Sequence, residues 1–278
     1  MLSVRVLLAR FLLLSLALCA LAPTSAQQPP SYRILVSNDD GVRAPGLAAV
    51  AQILQAIGDV IVIAPAANQS GKGHALTVDD AIVREELTLP NGLKAIGLSA
   101  TPASTVKVAL KNILQPAPDL VVSGINRGYN LGWSAYISGT VGVAREAAMH
   151  GIPAVAASLT GSTSDYTHAA EAVLGVARRV KQYGLPQHTF LNVNIPAGEP
   201  KGFAVTSQAP RAGGHESFSE ARDEKGRPIV YLNVYREGGG GPEGTDMWAV
   251  DRGLVAVTPM KVGEFEPKLQ DQIKGWFK

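Results

Sequence analysis

Short apolar runs of strand length alternate with helix-like segments along most of the chain. RILVSN (33–38) precedes a helix-like stretch from Pro45 to Ile57, DVIVIAP (59–65) follows it, and the alternation continues to TFLNVNIP (189–196). Such runs are typical of parallel strands that are buried on both faces and joined by crossover helices. The order predicts an α/β fold, a three-layer, Rossmann-like, mainly parallel sheet with helices on both faces.

Two regions depart from this alternation. Residues 75–99 carry strand-like patterning around the turn sequence Pro90-Asn91-Gly92, which predicts a β excursion. From about residue 200 to residue 278, GFAVTSQ, PIVYLNVYRE and LVAVTPM predict further strands, with a glycine-rich segment between the last two. We expect residues 27–278 to form one domain, in which residues from about 200 form a β extension involved in oligomerisation.

The first 26 residues have the features of a secretory signal peptide. Arg5 and Arg10 accompany a Leu- and Ala-rich stretch (11–22), and small residues follow at 24–26. The apolar run is shorter than the roughly 20 residues that a membrane-spanning helix needs. We therefore expect the segment to be removed, and the mature chain to be periplasmic or secreted without stable membrane insertion.

The charge balance and the cysteine content of the mature chain argue against nucleic-acid binding and against disulfide bonds. The chain has 25 Lys and Arg against 23 Asp and Glu, and removal of the signal takes away Arg5 and Arg10 but no acidic residue. The mature chain is therefore formally neutral, unlike a protein that binds a nucleic-acid polymer. The only cysteine, Cys19, leaves with the signal, so no disulfide is expected.

Polar side chains follow three predicted strands where each strand ends. They are Asn38, Asp39 and Asp40 after the first strand, Asn68 and Ser70 after the second, and Ser123 and Asn126 after DLVV. Parallel sheets bind ligands beyond the carboxyl ends of their strands. The three loops are therefore expected to meet at one edge.

The adjacent carboxylates of Asp39 and Asp40 would repel each other unless a cation lay between them. Carboxylate, amide and hydroxyl oxygens suit Mg²⁺ or Mn²⁺, whereas zinc normally draws His or Cys. The five histidines show no metal-ligand spacing. We predict one divalent metal per subunit; the alternative is that Asp39 caps the following helix while Asp40 and Gly41 form a turn.

The glycine-containing segment VSGINRGYNLGWSAYISGTVGVAREA (122–147) reaches Ser138, Gly139 and Thr140 at a predicted helix start. Free N–H groups at a helix N-terminus bind phosphate. A metal beside an anion pocket predicts phosphoryl chemistry. The alternative is a surface loop in which Ser138 or Thr140 is only an N-cap. No P-loop and no dinucleotide fingerprint is present.

The segment AANQSGKGHALT (66–77) also has two interpretations. Ser70 is either a metal ligand and Asn68 a phosphate donor, or both residues are ordinary turn formers. We expect the side chains of Lys72 and His74 to be solvated rather than catalytic.

Six segments resemble, in order, the signature blocks of the SurE family of metal-dependent survival-protein nucleotidases. They are RILVSNDDGVRAPGL, APAANQSGKGHALT, VSGINRGYNLG with SGTVGVAREA, HGIPAVAASL, LNVNIP and TDMWAVDRGLVAVTP. The resemblance runs from about Arg33 to Pro259. It implies hydrolysis of nucleoside 5′-monophosphates and sometimes 3′-monophosphates, with short polyphosphate a further candidate substrate. It also implies a homodimer or homotetramer with an exchanged C-terminal segment.

Carried over by position, the resemblance implies a set of site residues. The metal ligands would be Asp39, Asp40, Ser70 and Asn126, and the phosphate or substrate would be held by Asn38, Asn68, Asn130, Ser138, Gly139 and Thr140. Asp39 or Asp40 would accept a proton from the attacking water, or a carboxylate would attack directly.

The chain departs from the family pattern at three places. Trp133-Ser134-Ala135 stand where acidic residues are common, Ala67 stands where Arg is frequent, and Ser104-Thr105 replace a usual Asp-Cys pair. Trp133 and Tyr136 become candidates for base stacking or for oligomer contact.

Two other protein classes remain as rivals. A noncatalytic exported nucleotide- or solute-binding protein would show two similar lobes, and the sequence has no internal repeat. A nucleotide-dependent oxidoreductase would carry the glycine-rich fingerprint that is missing after the first strand.

Overall fold

A nine-stranded, mostly parallel sheet forms the centre of the molecule, which is represented by a computed structural model. The structure describes residues 31–161, 165–211, 215–235, 240–264 and 266–277. The predicted signal peptide, residues 1–26, lies outside them. Residues Tyr32–Lys278 group into one compact unit.

Eleven strands occur in the described residues. In chain order they are β1 (Arg33–Ser37), β2 (Asp59–Pro65), β3 (Arg84–Thr88), β4 (Lys94–Leu98), β5 (Leu120–Arg127), β6 (Ala154–Leu159), β7 (Thr189–Ile195), β8 (Phe203–Val205), β9 (His215–Arg222), β10 (Pro228–Tyr235) and β11 (Val255–Lys261).

The described helices vary from one turn to almost five. They are α1 (Pro45–Leu54), α2 (Pro102–Val108, continued by a π-helical turn at Ala109–Ile113), α3 (Gly139–Met149), α4 (Thr167–Tyr183), α5 (Asp246–Asp251) and α6 (Pro267–Ile273), with 3₁₀ turns at Trp133–Tyr136 and Lys274–Phe277. Helix α1 starts at Pro45 as predicted but ends three residues before Ile57.

The sheet order is β3-β4-β2-β1-β5-β6-β7-β11-β8. The six strands from β4 to β7 are parallel, whereas β3 and β11 pair antiparallel with their neighbours β4 and β7. From β1 the chain first builds outward through β2 and β4, and then returns to the other side of β1 with β5. The topological switch point therefore lies between β1 and β5, where ligands bind in open α/β sheets.

Helices cover both faces of the sheet, which confirms the predicted three-layer α/β fold. On one face, α1 and α4 pack against alternate strand residues such as Ile34 and Val36. On the other face, α2 and α3 pack around Leu35 and Val121. Each fully buried apolar side chain of this size contributes on the order of 1.5–3 kcal/mol to stability.

The predicted β excursion at 75–99 contains a hairpin, formed by β3 and β4 around Pro90-Asn91-Gly92. Beyond residue 200, β8 and β11 extend the central sheet, while β9 and β10 form a separate antiparallel hairpin. Strand β9 was not predicted because HESFSEAR lacks a regular apolar alternation. In the part of the chain that the structure describes, no helix has both the length and the apolar character needed to cross a membrane.

Candidate metal and phosphate site

The turn after β1 places Asp39 at the switch point. The Asn38 side chain closes this turn, because its Nδ2 donates to the carbonyl oxygen of Gly41 (3.0 Å) and its Oδ1 accepts from the Gly41 N–H (3.2 Å). Gly41 has φ +104°, a backbone conformation that favours glycine. The Asn38 side chain therefore shapes the turn that presents the carboxylates.

The loops after β1 and β2 and the first turn of α3 meet at Asp39, which is only 3% exposed. The Thr140 hydroxyl, in the first turn of α3, donates to Asp39 Oδ1 over 2.5 Å. The Gln69 N–H, in the loop after β2, donates to the Asp39 carbonyl oxygen over 2.8 Å. The predicted convergence at the carboxyl edge is confirmed here for the loops after β1 and β2.

Gly139 allows α3 to approach Asp39 this closely. A Cβ atom at position 139 would lie 2.7 Å from Asp39 Cβ and 2.9 Å from Pro102 Cγ. Any side chain would force the start of α3 away from the carboxylate.

Asp39 does not cap the helix that follows it. Helix α1 begins at Pro45, with Ala44 at the N-cap position and no side-chain cap. The alternative interpretation, in which Asp39 is a helix cap, is therefore wrong. The carboxylate faces the start of α3 instead.

The neighbouring carboxylate of Asp40 contacts the end of β5. Its Oδ2 accepts the backbone N–H of Arg127 over 3.1 Å, and the Asn126 Nδ2 donates to the Gly128 carbonyl oxygen over 2.8 Å. Burial raises the pKa of Tyr166, and the negative charge of Asp40 raises it further. Tyr166 thus lies near Asp40, although no sequence pattern had identified it.

Ser138 is the N-cap of α3, since its hydroxyl accepts the Val141 N–H over 3.2 Å. The first N–H groups of an α-helix have no partner within the helix. The N-cap interpretation of Ser138 is therefore confirmed. The helix start that it caps also contacts Asp39 through Thr140, and phosphate binding there stays a prediction.

Asn130 is held by asparagines of β7. Its backbone N–H donates to Asn194 Oδ1 over 2.7 Å, and its carbonyl oxygen accepts from Asn192 Nδ2 over 2.8 Å. Its own Nδ2 donates to Ser158 Oγ over 2.7 Å. Sequence reasoning missed this role of Asn192 and Asn194, although their two-residue spacing in LNVNIP places both on one face of a strand.

The loop after β2 combines a turn with an attachment to α3. Asn68 Oδ1 accepts the Ser70 N–H over 2.7 Å, so the turn interpretation of Asn68 is confirmed. The Gly73 N–H donates to the Ile137 carbonyl oxygen over 3.0 Å, which ties the loop to the segment before α3. Ser70 itself is exposed at the tip.

His74 is not solvated as expected. Its Nε2 lies 2.8 Å from Glu146 Oε2, and Glu146, only 2% exposed, also contacts Lys107 Nζ at 2.6 Å and His150 Nε2 at 3.0 Å. Burial would raise the pKa of Glu146, but hydrogen bonds from His74 and Lys107, together with their charges, outweigh it and lower the pKa to about 2. Glu146 thereby joins the Ser70 loop to α2 and α3.

The donor set at the switch point fits a hard divalent cation. In the described ranges, no group of three or more His, Cys, Asp and Glu side chains is arranged to hold a metal ion. A set of metal ligands at this site would therefore have to include amide and hydroxyl oxygens. The Asn126 amide donates through Nδ2, which leaves its Oδ1 available as an acceptor that could ligate a cation. Such all-oxygen sets suit Mg²⁺ and Mn²⁺.

Two buried hydroxyls below the carboxylates support this fit. Ser37 and Ser123 are cross-strand partners in β1 and β5, and neither Oγ has a hydrogen-bond partner among the described residues. Buried polar atoms without a protein partner commonly contact ordered water or an ion. The interior at the switch point is therefore polar.

The comparisons with known proteins agree on one family. The family model described as "Survival protein SurE" matches residues 34–214. The 5′-nucleotidase SurE of Syntrophotalea carbinolica is 44% identical over 230 residues, which cover 82% of this chain and 90% of that protein. The 5′-nucleotidase SurE 1 of Thermus thermophilus is 42% identical over 235 residues, which cover 83% and 92%.

A solved structure extends the similarity to three dimensions. The crystal structure of the SurE protein from Aquifex aeolicus has a TM-score of 0.76 and 35% sequence identity, and the match covers 88% of this chain and 100% of that one. The sequence match, the shared fold and the loops that meet at the switch point lead to the same conclusion: this chain belongs to the SurE survival protein family.

Proposed function

We propose that this protein is a divalent-metal-dependent phosphomonoesterase that hydrolyses nucleoside 5′-monophosphates to nucleoside and inorganic phosphate. One observation carries the proposal, namely the hydrogen bond from the Thr140 hydroxyl to Asp39, which places the N-terminus of α3 against one of the two carboxylates. An anion would be repelled by Asp39 and Asp40 unless a cation lay between them. The names of the relatives, 5′-nucleotidases, support the same substrate class.

The residues divide into two groups by chemistry. Asp39, Asp40, Ser70 and Asn126 would hold the cation, because they supply hard oxygen donors from the three loops. A divalent cation supplies Lewis-acid assistance to phosphoryl transfer. We favour Mn²⁺ or Mg²⁺ for this role.

The N-terminal turn of α3 would bind the phosphate. The hydroxyl group of Ser138 and the N–H groups of Gly139 and Thr140 would stabilise negative charge at the phosphoryl oxygens, since the Thr140 hydroxyl proton is donated to Asp39. Asn130, whose backbone is held by asparagines of β7, would also contribute to phosphate binding. Water adds to phosphorus, the bond to the ester oxygen breaks, and the leaving oxygen takes a proton. Asp39 or Asp40 accepts the proton from the attacking water.

Phosphate release by the purified mature chain tests this function. We expect release from nucleoside 5′-monophosphates with Mn²⁺ or Mg²⁺, loss of release with excess chelator, and recovery when the metal is restored. Nucleoside 3′-monophosphates and short polyphosphate complete the panel. Tight nucleotide binding without release under every metal condition would instead favour the noncatalytic binding protein.

The architecture disfavours that rival. A solute-binding protein of this class has two similar lobes around a cleft, whereas residues Tyr32–Lys278 form one unit around one central sheet. The candidate site lies at the edge of this sheet rather than between lobes.

We also propose that the protein is an exported member of the family. The proposal depends on the charged, apolar and small-residue zones of residues 1–26. A periplasmic or secreted phosphomonoesterase would release phosphate and nucleosides outside the inner membrane.

The proposed oligomer is a homodimer or homotetramer joined through the C-terminal region. The β9–β10 hairpin stands apart from the central sheet and exposes Phe218, Val230, Tyr231 and Leu232, each by more than half of its surface. Exposed apolar side chains grouped on one hairpin favour burial against another chain. Exchange of this segment between subunits would supply such a partner.

Native mass spectrometry of the protein from an extracytoplasmic fraction tests export and assembly together. We expect a subunit mass that lacks residues 1–26 and a complex of two or four subunits. Full-length subunits confined to the cytosolic fraction would contradict export. A monomer at micromolar concentration would contradict the oligomer.

A further inference from the structure

An exposed aromatic cluster lies directly before the phosphate-binding turn. The side chains of Trp133, Tyr136 and Ile137 are 56%, 46% and 56% exposed, and the 3₁₀ turn that carries the two aromatic residues ends two residues before the N-cap Ser138. We call these three side chains the aromatic platform. Large apolar side chains that are exposed together on a surface often mark a binding site.

The backbone beneath the platform is held at both ends. At its start, the Gly132 N–H donates to Asp246 Oδ2 and the Trp133 N–H donates to the Arg211 carbonyl oxygen, each over 2.8 Å. At its end, the Ile137 carbonyl oxygen accepts the Gly73 N–H over 3.0 Å. The backbone that carries the platform is therefore fixed and is not a loose surface turn.

The Tyr136 ring is also oriented. The Arg145 guanidinium lies over it at 5.9 Å from the ring centroid, and the Tyr136 hydroxyl makes a long contact of 3.4 Å with Gln208 Oε1. In a 3₁₀ helix, side chains three residues apart lie on the same side, about 6 Å apart along the axis. Trp133 and Tyr136 therefore project from one side of the turn.

The spacing from the phosphate turn suits a nucleotide. Tyr136 precedes Ser138 by two residues, so their Cα atoms are at most about 7 Å apart. A nucleoside monophosphate separates its phosphate from its base by one ribose ring, a comparable distance. We propose that the aromatic platform stacks on the nucleobase of a nucleoside monophosphate whose phosphate is bound at the start of α3; the inference rests on the proposed function.

A base fits the platform better than a second protein subunit does. At 150–250 Å² for each large side chain, the three half-exposed residues offer on the order of 350 Å². A stable protein interface buries about 800 Å² on each partner. Stacking on a base needs only the faces of one or two rings and tolerates any base.

The test compares two substrates that differ only by the base. Values of kcat/KM are measured for adenosine 5′-monophosphate and ribose 5-phosphate with the wild type, Trp133→Ala, Trp133→Phe and the matched control Trp276→Ala, an exposed tryptophan in the final 3₁₀ turn. We expect the ratio of the two values to fall about tenfold in Trp133→Ala, as loss of one stacking contact predicts. The Trp133→Phe and Trp276→Ala ratios should stay within about twofold of the wild type, because a phenyl ring still stacks and Trp276 lies outside the platform.

Several outcomes would contradict the proposal that the aromatic platform stacks on the nucleobase. An unchanged ratio in Trp133→Ala excludes stacking, and an equal loss on both substrates indicates a structural role. A fall in subunit number on native mass spectrometry of Trp133→Ala identifies the cluster as a subunit contact. Hydrolysis of ribose 5-phosphate by the wild type shows separately that the phosphomonoesterase is intact.

Tryptophan fluorescence tests stacking on Trp133 even if neither substrate is hydrolysed. Adenosine 5′-monophosphate should quench tryptophan emission of the wild type and not of Trp133→Phe, whereas ribose 5-phosphate should quench neither. Equal quenching of both proteins by the nucleotide would contradict stacking on Trp133 even if the proposed function had failed.

Discussion

Replacing Asp39 by asparagine is expected to lower kcat/KM for nucleoside monophosphates at least about 10³-fold, because loss of the proposed cation site removes several kcal/mol of transition-state stabilisation. The fold should survive the change. The amide oxygen of the new side chain can still accept the hydrogen bond that the Thr140 hydroxyl donates to Asp39. The substitution removes a negative charge from a side chain that is 3% exposed, with almost no change in its size.

A thermal-shift experiment measures the same effect without catalysis. A cation at about 100 times its Kd stabilises the folded chain by about 2.7 kcal/mol, so Mn²⁺ should raise the Tm of the wild type. Asp39→Asn should lose this shift while keeping or raising the Tm in chelator, since it removes one of two adjacent like charges.

Asp59→Asn is the matched control for Asp39→Asn. Asp59 is exposed at the amino end of β2, whereas the candidate site lies at the carboxyl ends of the strands. Both the activity and the Mn²⁺-induced rise in Tm should therefore remain in Asp59→Asn. Full activity of Asp39→Asn, or a Mn²⁺ shift equal to that of the wild type, would remove Asp39 from the metal site.

Replacing Glu146 by glutamine is expected to remove a large, pH-dependent part of the stability. The pKa of Glu146 is lowered in the folded protein to about 2 from its usual 4.5, since His74 and Lys107 outweigh the effect of burial. A lowered folded-state pKa means that the stabilisation is present above the unfolded-state value and is lost as the pH falls toward 2. The difference corresponds to about 3 kcal/mol.

Urea unfolding of the wild type and Glu146→Gln at three pH values, about 6, 4.5 and 3, measures this contribution. The free energy of unfolding of the wild type should exceed that of the variant by about 3 kcal/mol at the highest pH, and more than half of the difference should be gone at the lowest. Glu171→Gln, on the exposed face of α4, is the control and should show no such convergence. A constant difference at all three pH values would mean that the Glu146 charge does not contribute.

Much of the fold follows from local patterns. Buried runs such as ILVS in β1 and the Pro45 start of α1 obey rules of periodicity and helix initiation that involve neighbours in sequence. The hairpin around Pro90-Asn91-Gly92 follows from turn chemistry. The ends of the elements were less predictable, because α1 stops at Leu54 without a distinct stop signal.

The contacts that complete the site have no local pattern. Asn130 and Asn194 are 64 residues apart, and His74 and Glu146 are 72 residues apart. Both pairs depend on which strands and helices become neighbours. The expectation that the His74 side chain is solvated was wrong, because no residue near His74 in the sequence indicates that it pairs with the buried carboxylate of Glu146.

The sequence by itself determined the layered α/β architecture, the polar residues at the strand ends and the family, since these depend on residue order, periodicity and motif identity. Only the tertiary structure decided that β11 enters the sheet antiparallel to β7, between β7 and β8, that α3 meets Asp39 through Thr140, and that Glu146 joins three elements. The physical reason is that register, close packing at Gly139 and the pairing of buried charges arise only when distant segments are brought together.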